Sequence, residues 1–196
     1  MSGSPTVAGT VDAVLVERVK AGDREGYSAL VERYQQALYR HVRGMGLDHD
    51  TGLDLVQDAF VRAYERLNEC RDPACFKAWI YRICRNLCLD HIKNVRRRMV
   101  SLDALSGSEL ASHPVVRPGQ APVWEAFECL PLALREAFLL KHDAGYTYDE
   151  VARIVGASPS AVKMRVHRAR AVLREWLVED EKYAGVGDDL ALANRH

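Results

Sequence analysis

No apolar run in this chain approaches the roughly 20 residues needed to cross a bilayer, so no membrane span is expected. The N-terminus, Met1-Ser2-Gly3-Ser4-Pro5, lacks the charged and apolar regions of a signal peptide. Five cysteines, an odd number, argue against a fold held only by disulfides. These absences favour the cytoplasm, with no membrane contact of the chain's own. Net charge is also missing, because 27 basic residues balance 27 acidic ones. Strand-like alternation is almost absent, and no internal repeat is seen. There is no Gly-rich phosphate loop, no carboxylate pair framed by a cleft signature, and the seven histidines are scattered. No catalytic residue, cofactor or enzymatic activity is expected.

What is present is helical periodicity nearly throughout, which predicts an all-α fold. Val14, Leu15 and Val19, then Tyr27, Leu30, Val31, Tyr34, Leu38 and Val42 form an apolar series. Gly22-Asp23 interrupts it, with Asp23 suited to cap the second helix, which Gly44-Met45-Gly46 ends. A third helix is predicted to begin near Thr51 to Asp54, with Leu55, Val56, Ala59, Phe60, Ala63 and Leu67 on one face. Asn68 to Ala74 reads as a loop, and a basic helix follows from about Cys75 to Arg97. In that helix Lys77, Arg82, Arg85, Lys93, Arg96, Arg97 and Arg98 face only Asp90, a local excess of six positive charges in a neutral chain. Such concentration points to a polyanion partner at this surface.

From Ser101 to Pro122 the sequence is rich in Ser, Gly and Pro and reads as a linker. Helical patterns resume from Val123 to Val178. The residues from Glu179 to His196 hold five acids and two glycines and read as a frayed acidic tail. Within the second half, Tyr148 to Val155 forms a short helix and Gly156-Ala157 a tight turn. Ser158 is an N-cap, and Pro159 occupies the first position of the next helix. Val162, Val166, Ala169 and Leu173 give that helix a buried seam. Ser160, Met164, His167, Arg168 and Ala171 face away, flanked by Lys163, Arg165 and Arg170. Cations around small or adaptable side chains are what a major-groove recognition helix requires. A solvated basic face on an ordinary helical hairpin is the simpler alternative.

Several strings then carry a specific resemblance. Asp54-Leu55-Val56-Gln57-Asp58-Ala59-Phe60 is followed by Tyr64, and Phe76-Lys77-Ala78-Trp79-Ile80-Tyr81-Arg82-Ile83 by Arg85-Asn86. Leu130-Pro131, the run from Gly145 to Ala152 and the run from Ala161 to Arg170 complete the set. In this order, around a linker, the chain resembles sigma factors of the sigma-70 family, of the compact extracytoplasmic-function (group 4) type. The resemblance implies two small helical domains joined by a flexible linker. Residues 11–99 would be sigma region 2, 100–122 the linker, 123–178 the region 4 helix-turn-helix, and 179–196 the acidic tail.

It also implies roles. Asp54, Gln57, Asp58, Val61 and Arg62 would bind core RNA polymerase, on a face whose mixed charge and apolar centre suit a protein interface. An exposed face with i, i+4 pairs such as Asp58 to Arg62 is the plainer reading. The loop Asn68 to Ala74 and the helix after it would capture the melted −10 element. There Asn86 would read a base edge, while Lys77, Arg82, Arg85 and Lys93 hold phosphates. Trp79 and Tyr81 are left open between core and stacking platform. Aromatics are thinner here than in primary sigma factors, which implies weaker melting and near-ideal promoters. Ser160, Lys163, Met164, Arg165, His167 and Arg168 would contact the −35 element. Partners implied are core RNA polymerase, promoter DNA and an anti-sigma factor; catalysis would belong to the polymerase.

The cysteines depart from the family pattern. Cys84, Cys88 and His91 have a conceivable metal-ligand spacing, but Cys is also a small hydrophobe and a core role is the expectation. No metal is therefore expected. Cys70 and Cys75, flanking the loop, are considered as a redox pair. Two other functions stay in view: a stand-alone helix-turn-helix regulator, for which the second half would suffice, and a sequestering interaction protein. The Asp54 to Arg98 block discriminates against both.

Overall fold

The computed structural model describes residues 7–106, 127 and 129–179, and side chains over a slightly narrower range. In chain order the helices are α1 (Val7–Lys20), α2 (Arg24–Gly44), α3 (His49–Glu65), α4 (Phe76–Ser106), α5 (Leu132–His142), α6 (Tyr148–Val155) and α7 (Pro159–Glu179). Two 3₁₀ turns, Leu67–Glu69 and Pro73–Cys75, connect α3 to α4. No strand occurs among the described residues. The chain packs as two compact units, one built on α1 to α4 and one on α5 to α7.

In the first unit, Val16, Leu30, Leu38, Ala59, Phe76, Ile80 and Tyr81 make a core of mutually packed helices. Aromatic pairs stitch α2 to its neighbours, with Tyr27 against Phe60 and Tyr64, and Tyr34 against Phe76. The hydroxyl of Tyr27 donates to the Phe60 carbonyl, so a half-buried polar group is satisfied while the ring packs. On α1, Asp12 is buried, and its carboxylate accepts from the Tyr34 hydroxyl and lies 3.2 Å from Arg33 Nε. Asp23 caps α2 as expected, accepting from the backbone N–H groups of Glu25 (3.0 Å) and Gly26 (3.4 Å).

Two boundaries differ from the sequence reading. Helix α3 begins at His49 rather than near Thr51, because Asp48 caps it, accepting from Thr51 N–H at 3.0 Å. Helix α4 does not stop near Arg97. It runs on to Ser106, into what was read as linker from residue 100. Val100 to Ser106 contains no Gly or Pro, whereas Gly107 follows directly, and Pro114, Pro118 and Pro122 all come later. The remaining linker (107–122) and the tail from residue 180 lie outside the described residues.

In the second unit α5, α6 and α7 pack together around Leu140, Val151, Val162, Val166 and Ala169. Helix α6 has the expected bounds for identifiable reasons. Thr147 and Glu150 form a reciprocal capping box at its start, and Gly156 ends it at φ +69°, a left-handed conformation that favours glycine. Ser158 then accepts from Ala161 N–H at 3.2 Å, opening α7. This turn fixes the angle at which α7 leaves α6.

Candidate nucleic-acid interface

Helix α7 separates its faces cleanly. Val162, Val166, Ala169 and Leu173 are buried, while Ser160, Lys163, Met164, His167 and Arg168 are exposed and Arg165 is half-buried. Met164, a large apolar side chain, is 51% exposed, an arrangement that leaves it free for a partner. At the flank, Arg170 donates from Nη2 to His142 Nε2 at 2.9 Å. Burial, then the charges of Arg170 and Lys141, push the His142 pKa down, so the neutral ring that accepts this bond is the favoured form.

Helix α4 shows the same division. Ile80, Tyr81, Cys84, Leu87 and Cys88 are buried, and Arg82, Asn86, Lys93 and Arg96 to Arg98 are exposed. At 100° per residue Arg82, Asn86 and Lys93 fall within about 40° of one another, and half-buried Arg85 lies beside them. Lys77 does not join this stripe. It is half-buried, roughly 140° around the helix from Arg82, in the first turn beside the loop. Tyr81 is fully buried with its ring 5.4 Å from His41, so it is core and no stacking platform. Trp79 is half-buried, its ring 6.0 Å from Phe76.

Cys84 and Cys88 are buried as small apolar side chains. The hydrogen bond to Cys88, then burial, raises the Cys84 pKa and keeps it a thiol. Among the described residues no cluster of three His, Cys, Asp or Glu side chains is placed to hold a metal ion. Cys70 is buried and its pKa is raised to about 11, chiefly by that burial, which is the opposite of a reactive thiolate.

On α3 the residues Asp54, Gln57, Asp58, Val61 and Arg62 are all exposed, opposite buried Leu55, Val56, Ala59, Phe60 and Ala63. Among the described residues Asp58 and Arg62 form no ion pair with each other, so the plainer i, i+4 reading of this face is not realised. The structure adds two residues to this face. Leu53 (49% exposed) and Tyr64 (45%) line up with Gln57 and Val61 as an exposed, mostly apolar strip. The spacing of 53, 57, 61 and 64 was the available signal, but it ran beside the stronger buried seam. Among the described residues no helix is long and apolar enough to cross a membrane.

Residues 30–98 match Sigma-70 region 2, and residues 120–173 match Sigma-70 region 4. The ECF RNA polymerase sigma-E factor of Escherichia coli K12 is 32% identical over 176 residues, covering 83% of this chain and 92% of that protein.

The chain belongs to the sigma-70 family.

The sigma-E factor of Salmonella typhimurium LT2, 31% identical with the same coverage, places it with the extracytoplasmic-function type. Two solved structures are similar. CnrH in complex with the cytosolic domain of CnrY aligns with a TM-score of 0.68 and 28% identity, over 87% of this chain and 99% of that one. RpoE of Bartonella quintana, in complex with the anti-sigma factor NepR, gives 0.63 and 27%, over 79% and 98%. Region 2 thus takes in most of α2 together with α3 and the basic stretch of α4, and region 4 takes in α5, α6 and most of α7. A chain carrying both regions is a sigma factor that directs promoter-specific initiation.

Proposed function

We propose that this sigma factor divides its task among three surfaces. The exposed face of α3, Asp54, Gln57, Asp58, Val61 and Arg62 with Leu53 and Tyr64, binds core RNA polymerase. The loop between α3 and α4, with Lys77, Arg82, Arg85, Asn86 and Lys93, holds the melted −10 strand. Ser160, Lys163, Met164, Arg165, His167 and Arg168 on α7 contact the −35 duplex. The domains follow: residues 11–99 for the polymerase and −10 functions, 123–178 for −35 recognition, with the intervening linker shortened at its start because α4 runs on to Ser106. The observation that carries this reading is the presence, in one chain, of a mixed apolar and charged helix face joined to a basic one, ahead of a second basic helix. A stand-alone helix-turn-helix regulator has no use for the first pair.

Chemistry supports each assignment. A guanidinium at Arg168 can engage guanine O6 and N7 together, whereas the Lys163 ammonium, on the flank, suits a phosphate. Asn86 carries both a donor and an acceptor and sits between Arg82 and Lys93, so a base edge can meet it while phosphates are held on either side. Phosphoryl and nucleotidyl chemistry stays with the polymerase. The protein works in the cytoplasm, and an anti-sigma factor restrains it; the similar sigma factor RpoE of Bartonella quintana forms a complex with the anti-sigma factor NepR.

Two experiments test the division of labour. Asn86→Ala should slow open-complex formation on duplex promoters, and a template supplied already melted should rescue part of the loss. Equal defects on both templates would make Asn86 a structural residue. Arg168→Ala should cost about 1–3 kcal/mol and relax preference at one −35 base pair. Lys163→Ala should weaken all sequences alike and lower the salt slope by about one unit. Titrations against single-base variants at several salt concentrations separate the two, and a uniform loss for Arg168→Ala would end its assignment as a base reader.

A further inference from the structure

The loop between α3 and α4 is held from outside by a residue 50 positions away. Lys20, the last residue of α1, donates from Nζ to the carbonyl oxygen of Cys70 at 3.1 Å. Its side chain is only 22% exposed, so the methylene stem is packed and the ammonium is aimed. Glu17, one turn earlier, lies 3.3 Å from the same nitrogen and steadies it.

The loop needs such a tether. Each half is closed locally: Cys70 N–H donates to Leu67 O at 3.0 Å, and Cys75 N–H donates to Asp72 O at 2.9 Å. Asp72 also accepts from Ala74 N–H at 3.1 Å and from the Cys75 thiol at 3.1 Å. Those bonds shape two small turns but do not set where the span between them sits. Cys70 and Asp72 are not helical, at φ/ψ of −71°/86° and −115°/99°, and Arg71 and Asp72 are exposed. Cys70 itself is buried, with its thiol toward Asp72 O at 3.5 Å. Lys20 therefore fixes the peptide plane from which the exposed span departs. Helix α1 also packs against the Pro73–Cys75 turn, so the tether and this packing act on the same loop.

We infer that Lys20 is a positioning residue for −10 recognition, holding the Cys70 carbonyl so that the Arg71–Asp72 span is preset to receive an unstacked base. This rests on the reading that the loop captures the melted −10 strand. Capture of one base in a pocket demands side chains held within a fraction of an ångström, and a bond from a rigid helix supplies what loop-internal bonds cannot. Lys20 acts through the backbone of Cys70 and does not touch the base.

The test uses holoenzyme and a promoter selected by that holoenzyme from a library randomised at both elements. Open-complex formation is measured on the selected sequence and on single-base −10 variants, alongside thermal unfolding of the free protein. Lys20→Met keeps the stem and removes the bond; it should reduce discrimination among the −10 variants roughly five- to tenfold, with −35 preference unchanged. Lys20→Arg should restore at least half of that discrimination. An equal slowing on every −10 variant, or no restoration by Lys20→Arg, would overturn the inference. Asn68→Ala and Arg71→Ala are run in parallel. If they shift −10 preference and Lys20→Met does not, the positioning role fails alone. If neither loop variant shifts it, the reading of the loop fails and takes the inference with it.

Discussion

Asp58→Arg is expected to weaken binding of core RNA polymerase at least tenfold while leaving thermal unfolding of the free protein unchanged. Asp58 is exposed in the middle of α3, off the buried seam, and no ion pair among the described residues engages it. Reversing its charge therefore removes nothing from the fold. At an interface the same change replaces a complementary charge with a repelling one, which costs several kcal/mol, more than deleting the side chain would. The neighbouring strip of Leu53, Val61 and Tyr64 supplies apolar area around it, so the charge would be partly desolvated on binding. A binding titration with core polymerase checks this, with a thermal melt as control. Full affinity in Asp58→Arg would remove α3 from the interface.

The second large effect concerns acid. His41 is wholly buried against α4, with its ring 5.4 Å from Tyr81, and among the described residues neither ring nitrogen has a hydrogen-bond partner. Burial, reinforced by the nearby Arg85 charge, lowers its pKa to about 4 from an ordinary 6.5. Between those values the unfolded chain binds a proton that the folded protein excludes. Stability contributed by the neutral ring is thus complete above about pH 6.5 and is lost as pH falls toward 4. The loss should approach about 3 kcal/mol at the lower end, a large fraction of the stability of a small helical domain. His41→Leu should flatten this part of the profile, since it removes the proton site and two unsatisfied nitrogens together. Denaturant unfolding from pH 7.5 to 4.5 measures it. Equal acid sensitivity in His41→Leu would assign the effect to other groups.

Much of this was legible in the sequence where the signal was local. Gly156 marks the end of α6 because a cap is chosen by residues within a turn of the boundary; the Thr147–Glu150 box at its start is a local signal of the same kind that the sequence reading passed over. The opposed faces of α7 followed from spacing alone, since Val162, Val166, Ala169 and Leu173 keep helical register. The end of α4 was not legible. Ser101 and Asp103 look like loop residues, yet a helix already 25 residues long propagates through them cheaply until glycine intervenes. Grouping Lys77 with the other cations of α4 counted charge along the chain and ignored angle around the helix. The Lys20 tether had no sequence signal at all, because the two residues are 50 apart and one partner is a backbone carbonyl.

The central claim is that this chain gives promoter specificity to RNA polymerase. Run-off transcription tests it most directly, using core enzyme with and without the protein on a linear template carrying a promoter selected by the holoenzyme. The account predicts a transcript of defined length only when core and protein are both present, abolished by scrambling either the −10 or the −35 element. Specific binding of the protein to DNA with no protein-dependent transcript from core polymerase would contradict it.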